Sequence, residues 1–209
     1  MNVLIPHSWL KDYVETDLEP KEIAYASGAA VLFKKEALAK VGIFDPDFFM
    51  YHEDLDLGWR LRLAGYKILV VPNAVIYHKY EFSKSIKKYY FMERNRLICL
   101  LENYKLATLI LIFPAWLVME IGLFLFSLQT GFWREKLKVY KYFFKLSVWR
   151  KIFRIRRARR LTRTVGDRQV VKLFTGKIEF QEIDNWLLNK VANPIFNLYW
   201  QIVKFLIIW

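Results

Sequence analysis

The chain has 209 residues, 55% of them hydrophobic and 25% charged, with 8 Gly and 6 Pro. That size allows one ordinary domain and an appendage, and that composition excludes disordered, collagenous and low-complexity classes. The net charge is +13, and a single cysteine, Cys99, with no Cys/His cluster of zinc-site spacing, excludes an internal disulfide and a zinc finger and points to a reducing compartment.

The N-terminal MNVLIPHSWLKDY has no basic n-region and its apolar run is broken by Pro6, so it is not expected to be a secretory signal. Ile23 to Val31 is small and apolar and, with Leu32 and Phe33, predicts a buried strand. Lys34 to Lys40 has a short helical pattern that ends at Val41 and Gly42, the glycine suiting a left-handed position. A loop follows, in which Asp45-Pro46 favours a turn. Leu55 to Ala64 is helical again, closed by Gly65, and Lys67 to Val71 and Ala74 to Tyr77 are strand-like around Pro72-Asn73. Strand, helix, acidic loop, helix, strand is the order expected of part of an α/β domain.

Glu81 to Tyr104 spaces Ile86, Tyr89, Tyr90, Leu97, Leu100 and Leu101 as an amphipathic helix with a basic opposite face. Leu106 to Leu128 is an apolar run of 23 residues whose only charge is Glu120 and only proline Pro114, long enough for a bilayer core that takes about 20. Residues 134–163 then carry 13 Lys or Arg against one acid, Glu135, so nearly all the excess charge sits there, interleaved with Tyr140, Tyr142 and Trp149. That pattern is expected where a chain leaves hydrocarbon and meets anionic lipid headgroups on the cytoplasmic face. Two other readings stand beside it: a basic, aromatic run can bind nucleic acid, though the apolar run has no place in such a soluble module, and Glu120 with Pro114 suits a buried core helix. The segment either spans once or is re-entrant or interfacial with Pro114 as its bend. Residues 165–192 are polar and locally helical, and the 17 residues from Asn193 to Trp209, with Lys204 inside, predict an interfacial helix.

The densest chemistry lies in Asp45 to Asp56, five carboxylates in 12 residues, followed by Arg60 and Arg62. The structural reading makes Glu53 and Asp54 helix N-terminal charges and Asp56 the i, i+4 partner of Arg60. The chemical reading makes an aromatic-lined acidic pocket in which one carboxylate, its pKa raised by apolar walls, takes a proton from a hydroxyl nucleophile. His78 closes the second strand-like run. A histidine there is commonly structural, yet it could reach a divalent ion on a phosphate. His52-Glu53-Asp54 is not an HExxH zinc site, because no second histidine follows.

Ser27 to Tyr80 closely resembles the C-terminal half of the catalytic domain of family 2 glycosyltransferases of GT-A fold, in the rhamnosyltransferase-like branch. The resemblance rests on the SGAA strand, the FDPDFF loop, the ED-x-DL-x-x-R-x-x-x-x-G-Y helix, the VPNA strand turn and the terminal YH. Lys87 to Leu97 (KKYYFMERNRL) is similar to the helix next to the membrane in such enzymes. The resemblance implies an α/β fold, the acceptor-side half of a nucleotide-sugar transferase, over residues 1–80. A mostly helical membrane-associated tail is expected after it: residues 81–133 with the apolar segment, the basic 134–164, and 165–209. It implies Asp54 as the base that deprotonates the acceptor hydroxyl, Glu53 as its orienting partner, and His78 as a ligand of a divalent cation, Mg or Mn. Asp45, Asp47, Phe48, Phe49 and Arg60 would shape the acceptor site. The implied partners are a nucleotide-sugar donor, a glycan or lipid-linked acceptor and anionic membrane lipids, not nucleic acid, at the cytoplasmic face of the inner membrane. The family's first nucleotide-binding strand and its DxD motif have no counterpart, Asp45-Pro46-Asp47 belonging by position to the acceptor loop. The expectation is therefore an acceptor-side portion, inactive alone, completed by an upstream donor-binding half or a partner chain. The competing expectation is a non-catalytic membrane-binding remnant or accessory subunit.

Overall fold

The computed structural model describes residues 19–74, 86–178, 186 and 188–209. Its elements are β1 (Lys21–Glu22), α1 (Lys35–Val41), a 3-10 turn (Pro46–Phe48), α2 (Glu53–Leu63), β2 (Leu69–Val70), α3 (Ile86–Asn103), α4 (Leu106–Thr130), α5 (Trp133–Phe143), α6 (Leu146–Thr162), α7 (Asp167–Val170) and α8 (Asn193–Leu206). The only sheet among the described residues pairs β1 with β2 antiparallel, Lys21 opposite Val70 and Glu22 opposite Leu69.

The buried strand expected over Ile23 to Val31 does not form. After Ile23, whose amide donates to the Ile68 carbonyl at 2.9 Å, the chain leaves the ladder and Ser27 to Ala30 makes an exposed turn. A central strand needs a partner on each edge, and the described residues provide one partner two residues long. The helices match the periodicity better. Helix α1 ends at Gly42, whose φ of 83° is positive as expected but whose ψ of 173° is extended, and α2 is closed by Gly65 at φ 88°. Ala74 to Tyr77 lies outside the described residues beyond Ala74.

Helix α2 is enclosed on all sides from Leu55 to Leu63, so it carries no solvent stripe. Its one glycine permits a close crossing. A β-carbon on Gly58 would lie 2.4 Å from the Tyr25 Cβ and 3.0 Å from its Cα. Gly58→Ala is therefore expected to destabilise the protein, because overpacking of about 1–3 kcal/mol exceeds the helix propensity gained. Thermal unfolding checks this, and an unchanged midpoint would contradict the crossing.

Helix α3 departs most from expectation. In place of an amphipathic lead-in with a basic outer face, Glu93 to Leu100 is buried all round, enclosed by α2, α5 and α6. Charges can be buried there because they are paired. Glu93 meets Lys136 and Arg96, Arg96 reaches Glu120 at 2.9 Å, and Lys136 reaches Glu120 at 2.6 Å. Glu120, the lone charge of the apolar run, also accepts from the Tyr140 hydroxyl at 3.0 Å.

Helix α4 continues through Pro114 for 25 residues. It is the one helix among the described residues long and apolar enough to cross a membrane by length and composition. One stripe, Thr108, Ile112, Ala115, Met119, Leu123 and Ser127, is buried against the protein, while Leu106, Ile110, Phe113, Leu117, Ile121, Leu125 and Leu128 form an exposed stripe. Helix α8 lies beside it, Tyr199 donating to the Leu111 carbonyl at 2.6 Å and Trp209 to the Thr108 hydroxyl at 2.9 Å. It repeats the division: Phe196, Trp200 and Val203 face in, and Ile195, Leu198, Ile202 and Phe205 stay exposed. The basic segment folds into α5 and α6, and several of its cations turn inward, Lys136 to α3 and α4, Arg159 to α2 and α3.

Candidate active site

The loop between α1 and α2 is built on an unusual backbone. Asp45 opens it by accepting the Asp47 amide at 2.9 Å, Pro46 starts the 3-10 turn, and Phe48 anchors it, 1% exposed. Phe49, Tyr51 and His52 then have φ of 59°, 64° and 68°. None is glycine, and each left-handed side-chain residue costs about 1–3 kcal/mol.

Two clamps hold this conformation. On one side the Asn95 Nδ2 lies 2.8 Å from each of the Phe48, Met50 and Tyr51 carbonyls and shares its two N–H groups among them, and Arg94 donates to the Asp47 carbonyl at 2.6 Å. On the other, Arg60 is locked to Asp56 at 2.8 Å and donates to the carbonyls of Val41 and Ile43 at 2.7 and 2.8 Å. Asp56 is fully buried. Burial alone would raise its pKa, but the charges of Arg159 and Arg60 and a bond from Asn103 hold it low. The i, i+4 pairing expected of Asp56 and Arg60 is therefore present, and Arg60 is a support of the loop, not an exposed group. Phe48 likewise belongs to the core. Phe49, by contrast, is 71% exposed, its ring 5.2 Å from that of Phe91. Asp47 is partly exposed and pairs with Lys151 of α6.

Glu53 and Asp54 form the first turn of α2, as the dipole favours. Asp54 is half-buried; its Oδ1 accepts from the Leu55 amide at 2.7 Å and its Oδ2 from the Gly28 amide at 3.2 Å, which ties the SGAA turn to the acidic loop. Glu53 has a buried Oε2 with no protein partner. Burial raises its pKa, the neighbouring Asp54 adds to this, and a bond from its own backbone opposes it. The structure thus brings Gly28 of the SGAA turn to Asp54 at the start of α2. His78 lies outside the described residues. Among the described residues no group of three or more His, Cys, Asp or Glu side chains could hold a metal ion together.

His52 sits behind the loop with a buried, unpartnered Nδ1. Burial, then the Arg96 charge, lowers its pKa from 6.5 to about 3, with Glu93 opposing. Glu93 would be raised by burial, but Arg96 and Lys136 bring it down to about 2. The unfolded chain therefore protonates His52 before the native protein does, and stability from this group is lost as pH falls from 6.5 towards 3, by up to about 1.4 kcal/mol per unit. Glu102, raised to about 7 mainly by burial, acts in the opposite direction between pH 7 and 4.5. The expected result is that His52→Asn, an αL-tolerant change, loses less stability than the parent on acidification from pH 6.5 to 4.5. Parallel urea titrations check the difference, and identical pH slopes would contradict it.

Glu93, Arg94, Asn95 and Arg96 were not legible as site residues from periodicity. The available signal was compositional: a run of four polar residues inside a helix, matched by the lone charge Glu120 in the apolar run beyond it.

The chain matches the family model described as Glycosyl transferase family group 2 over residues 9–134, which contain the loop, α2, α3 and α4. It is 43% identical over 74 residues to the N-acetylglucosaminyl-diphospho-decaprenol L-rhamnosyltransferase of Mycobacterium tuberculosis (strain CDC 1551 / Oshkosh), a stretch covering 34% of this chain and 24% of that protein. It is 45% identical over 49 residues to the poly-beta-1,6-N-acetyl-D-glucosamine synthase of Staphylococcus aureus (strain COL), covering 23% of this chain and 11% of the synthase. The matched stretches are a quarter or less of either relative. No solved structure matches. With more than half of its length inside the family model and its similarity to a rhamnosyltransferase, the chain belongs to glycosyl transferase family group 2 and is rhamnosyltransferase-like.

Proposed function

We propose that the chain carries the acceptor side of a membrane-associated glycosyltransferase of GT-A fold, moving a sugar with inversion from a nucleotide-sugar donor to a lipid-linked or polysaccharide acceptor. The observation that supports this best is the strained loop of Phe49, Tyr51 and His52, held by Asn95 and Arg94 over a paired Glu53-Asp54. Positive-φ side-chain residues persist where surrounding structure over-determines them, and such places are commonly functional. Asp54 is the proposed base: it removes the acceptor hydroxyl proton as the oxygen attacks the anomeric carbon and the bond to the diphosphate breaks. Phe49 offers the sugar acceptor an apolar face, and Asp45 and Asp47 shape its edge. Phe48 and Arg60 act from beneath, by fixing the loop.

A second reading makes Glu53 the base, favoured by its unpartnered Oε2 and its raised pKa. Asp54, both of whose oxygens accept backbone amides, would then position the loop. Donor binding is assigned to groups outside the described residues, in an upstream half or a partner chain. His78 stays a metal ligand on the resemblance alone.

Membrane association is proposed from the exposed stripes of α4 and α8. A lone span does not suit α4, because its inner face carries α5, on which Arg134, Lys138 and Lys141 are exposed. Both helices are proposed to lie in the interface at the cytoplasmic face, stripes down. The test is transfer of label from a panel of nucleotide sugars to lipid-extractable or polymeric material, in membranes holding the full-length protein. Label transfer that depends on the protein supports the reading; label-free membranes across the panel, with the protein present and folded, would leave only the accessory, non-catalytic role.

A further inference from the structure

A cavity of about 340 Å³ opens where α6 passes the junction of α3 and α4. Arg156, Arg159 and Arg160, at i, i+3 and i+4 of α6, line it together with Arg163 just past the helix end, and Lys105 and Leu106 line it too. The carboxylates within reach are already engaged. Arg159 holds Asp56 and Glu102, each at 2.7 Å, and Arg163 holds Asp167. Asp167 also accepts from the Lys105 amide at 2.9 Å and the Thr108 hydroxyl at 2.6 Å, closing the start of α4. Arg156 reaches only the Leu101 carbonyl, and neither it nor Arg160 nor Lys105 has a carboxylate partner among the described residues. After burial, the neighbouring Arg160 charge is the chief cause that lowers the Arg156 pKa, and Arg163 and Arg159 add to it, with Asp167 the one acidic charge that opposes them.

One wall of this cavity leads to apolar surface. Leu106, 67% exposed, both lines the cavity and begins the exposed stripe of α4, and Leu161 beside Arg160 is 87% exposed. A ligand that satisfies both parts has a phosphate head and a hydrocarbon tail. Arginine forks suit phosphate oxygens, and basic pockets beside membrane helices bind anionic head groups.

We infer that this cavity binds the phosphate head of a membrane amphiphile whose chain lies along α4 from Leu106. The inference rests on the proposed membrane reading and extends it from a surface to a site. Two sources share the chemistry, an anionic phospholipid and a prenyl-linked diphosphate.

The test is saturable binding of phosphatidylglycerol, of a prenyl diphosphate and of inorganic pyrophosphate to the full chain in neutral detergent. R156Q/R160Q removes two of the three cavity cations without a carboxylate partner, and R150Q/R154Q removes two exposed cations of the same helix outside the cavity. The expected result is one-to-one binding of at least one lipid, weakened roughly tenfold or more by the cavity pair and little by the control pair. The tighter lipid identifies the source. Equal losses in both variants, pyrophosphate binding as tight as either lipid, or no saturable lipid binding would overturn the inference. Flotation of the parent chain with neutral phosphatidylcholine vesicles separates the two levels: a chain that floats but has no saturable site keeps the membrane reading and loses the cavity, and one that neither floats nor has a saturable site loses both.

Discussion

Replacing Lys136 with Met is expected to destabilise the protein by about 3–5 kcal/mol, the range for removing one partner of a buried ion cluster. Lys136 is 1% exposed and lies between Glu93 and Glu120, with Arg96 the other cation of the cluster. Without it, one guanidinium faces two buried carboxylates, and one of them must take up a proton or draw in water. The cluster joins α3, α4 and α5, so its loss loosens the helix that supplies Asn95 and Arg94 to the loop. Replacing Glu93, Arg96, Glu120 and Lys136 together with apolar residues of similar size is expected to recover much of the stability, since a buried ion network is often no better than good apolar packing. Thermal and urea unfolding in mild detergent check both variants. A single variant within about 0.5 kcal/mol of the parent would mean that Lys136 is solvated.

Asp54→Asn is expected to lower turnover by about 10² to 10⁴ in the complete enzyme, the contribution of a positioned general base. The amide is isosteric and its oxygen can still accept from Gly28 or Leu55, so the fold and the donor site should be little changed. Glu53→Gln distinguishes the two carboxylates. If Glu53 is the base, its variant shows the larger fall, and the acidic limb of the pH profile for kcat disappears with it, because the Glu53 pKa is raised by burial. If Asp54 is the base, Glu53→Gln shifts that limb and leaves most of the rate.

Helices were legible where their pattern was local. The i, i+4 pair of Asp56 and Arg60, the stop at Gly65 and the extent of α4 all depend on residues within a few turns of one another. The strand at Ile23 to Val31 was not, because a strand is defined by its partner and the apolar sequence alone cannot supply one. Helix α3 misled for a related reason. A polar helical face predicts solvent unless each charge finds a partner, and the partners here, Lys136, Glu120 and Arg159, stand 24 to 57 positions further along the chain. The acidic loop was legible in composition, but its left-handed residues were not, since Phe49, Tyr51 and His52 are poor candidates for positive φ and adopt it only under the Asn95 clamp. Likewise the basic segment gave its charge but not its division into inward pairs and an open cavity.

The loop ending in Glu53-Asp54 is proposed to perform the acceptor chemistry of sugar transfer. The most direct measurement follows, in one preparation of the full-length enzyme, the rate of label transfer and the affinity for the nucleotide-sugar donor, for the parent, Asp54→Asn and Glu53→Gln. At least one of the two variants is expected to lose about 10² or more in rate while its donor affinity stays within a factor of about two. Parent-like rates in both variants would contradict it and remove the loop from the chemistry.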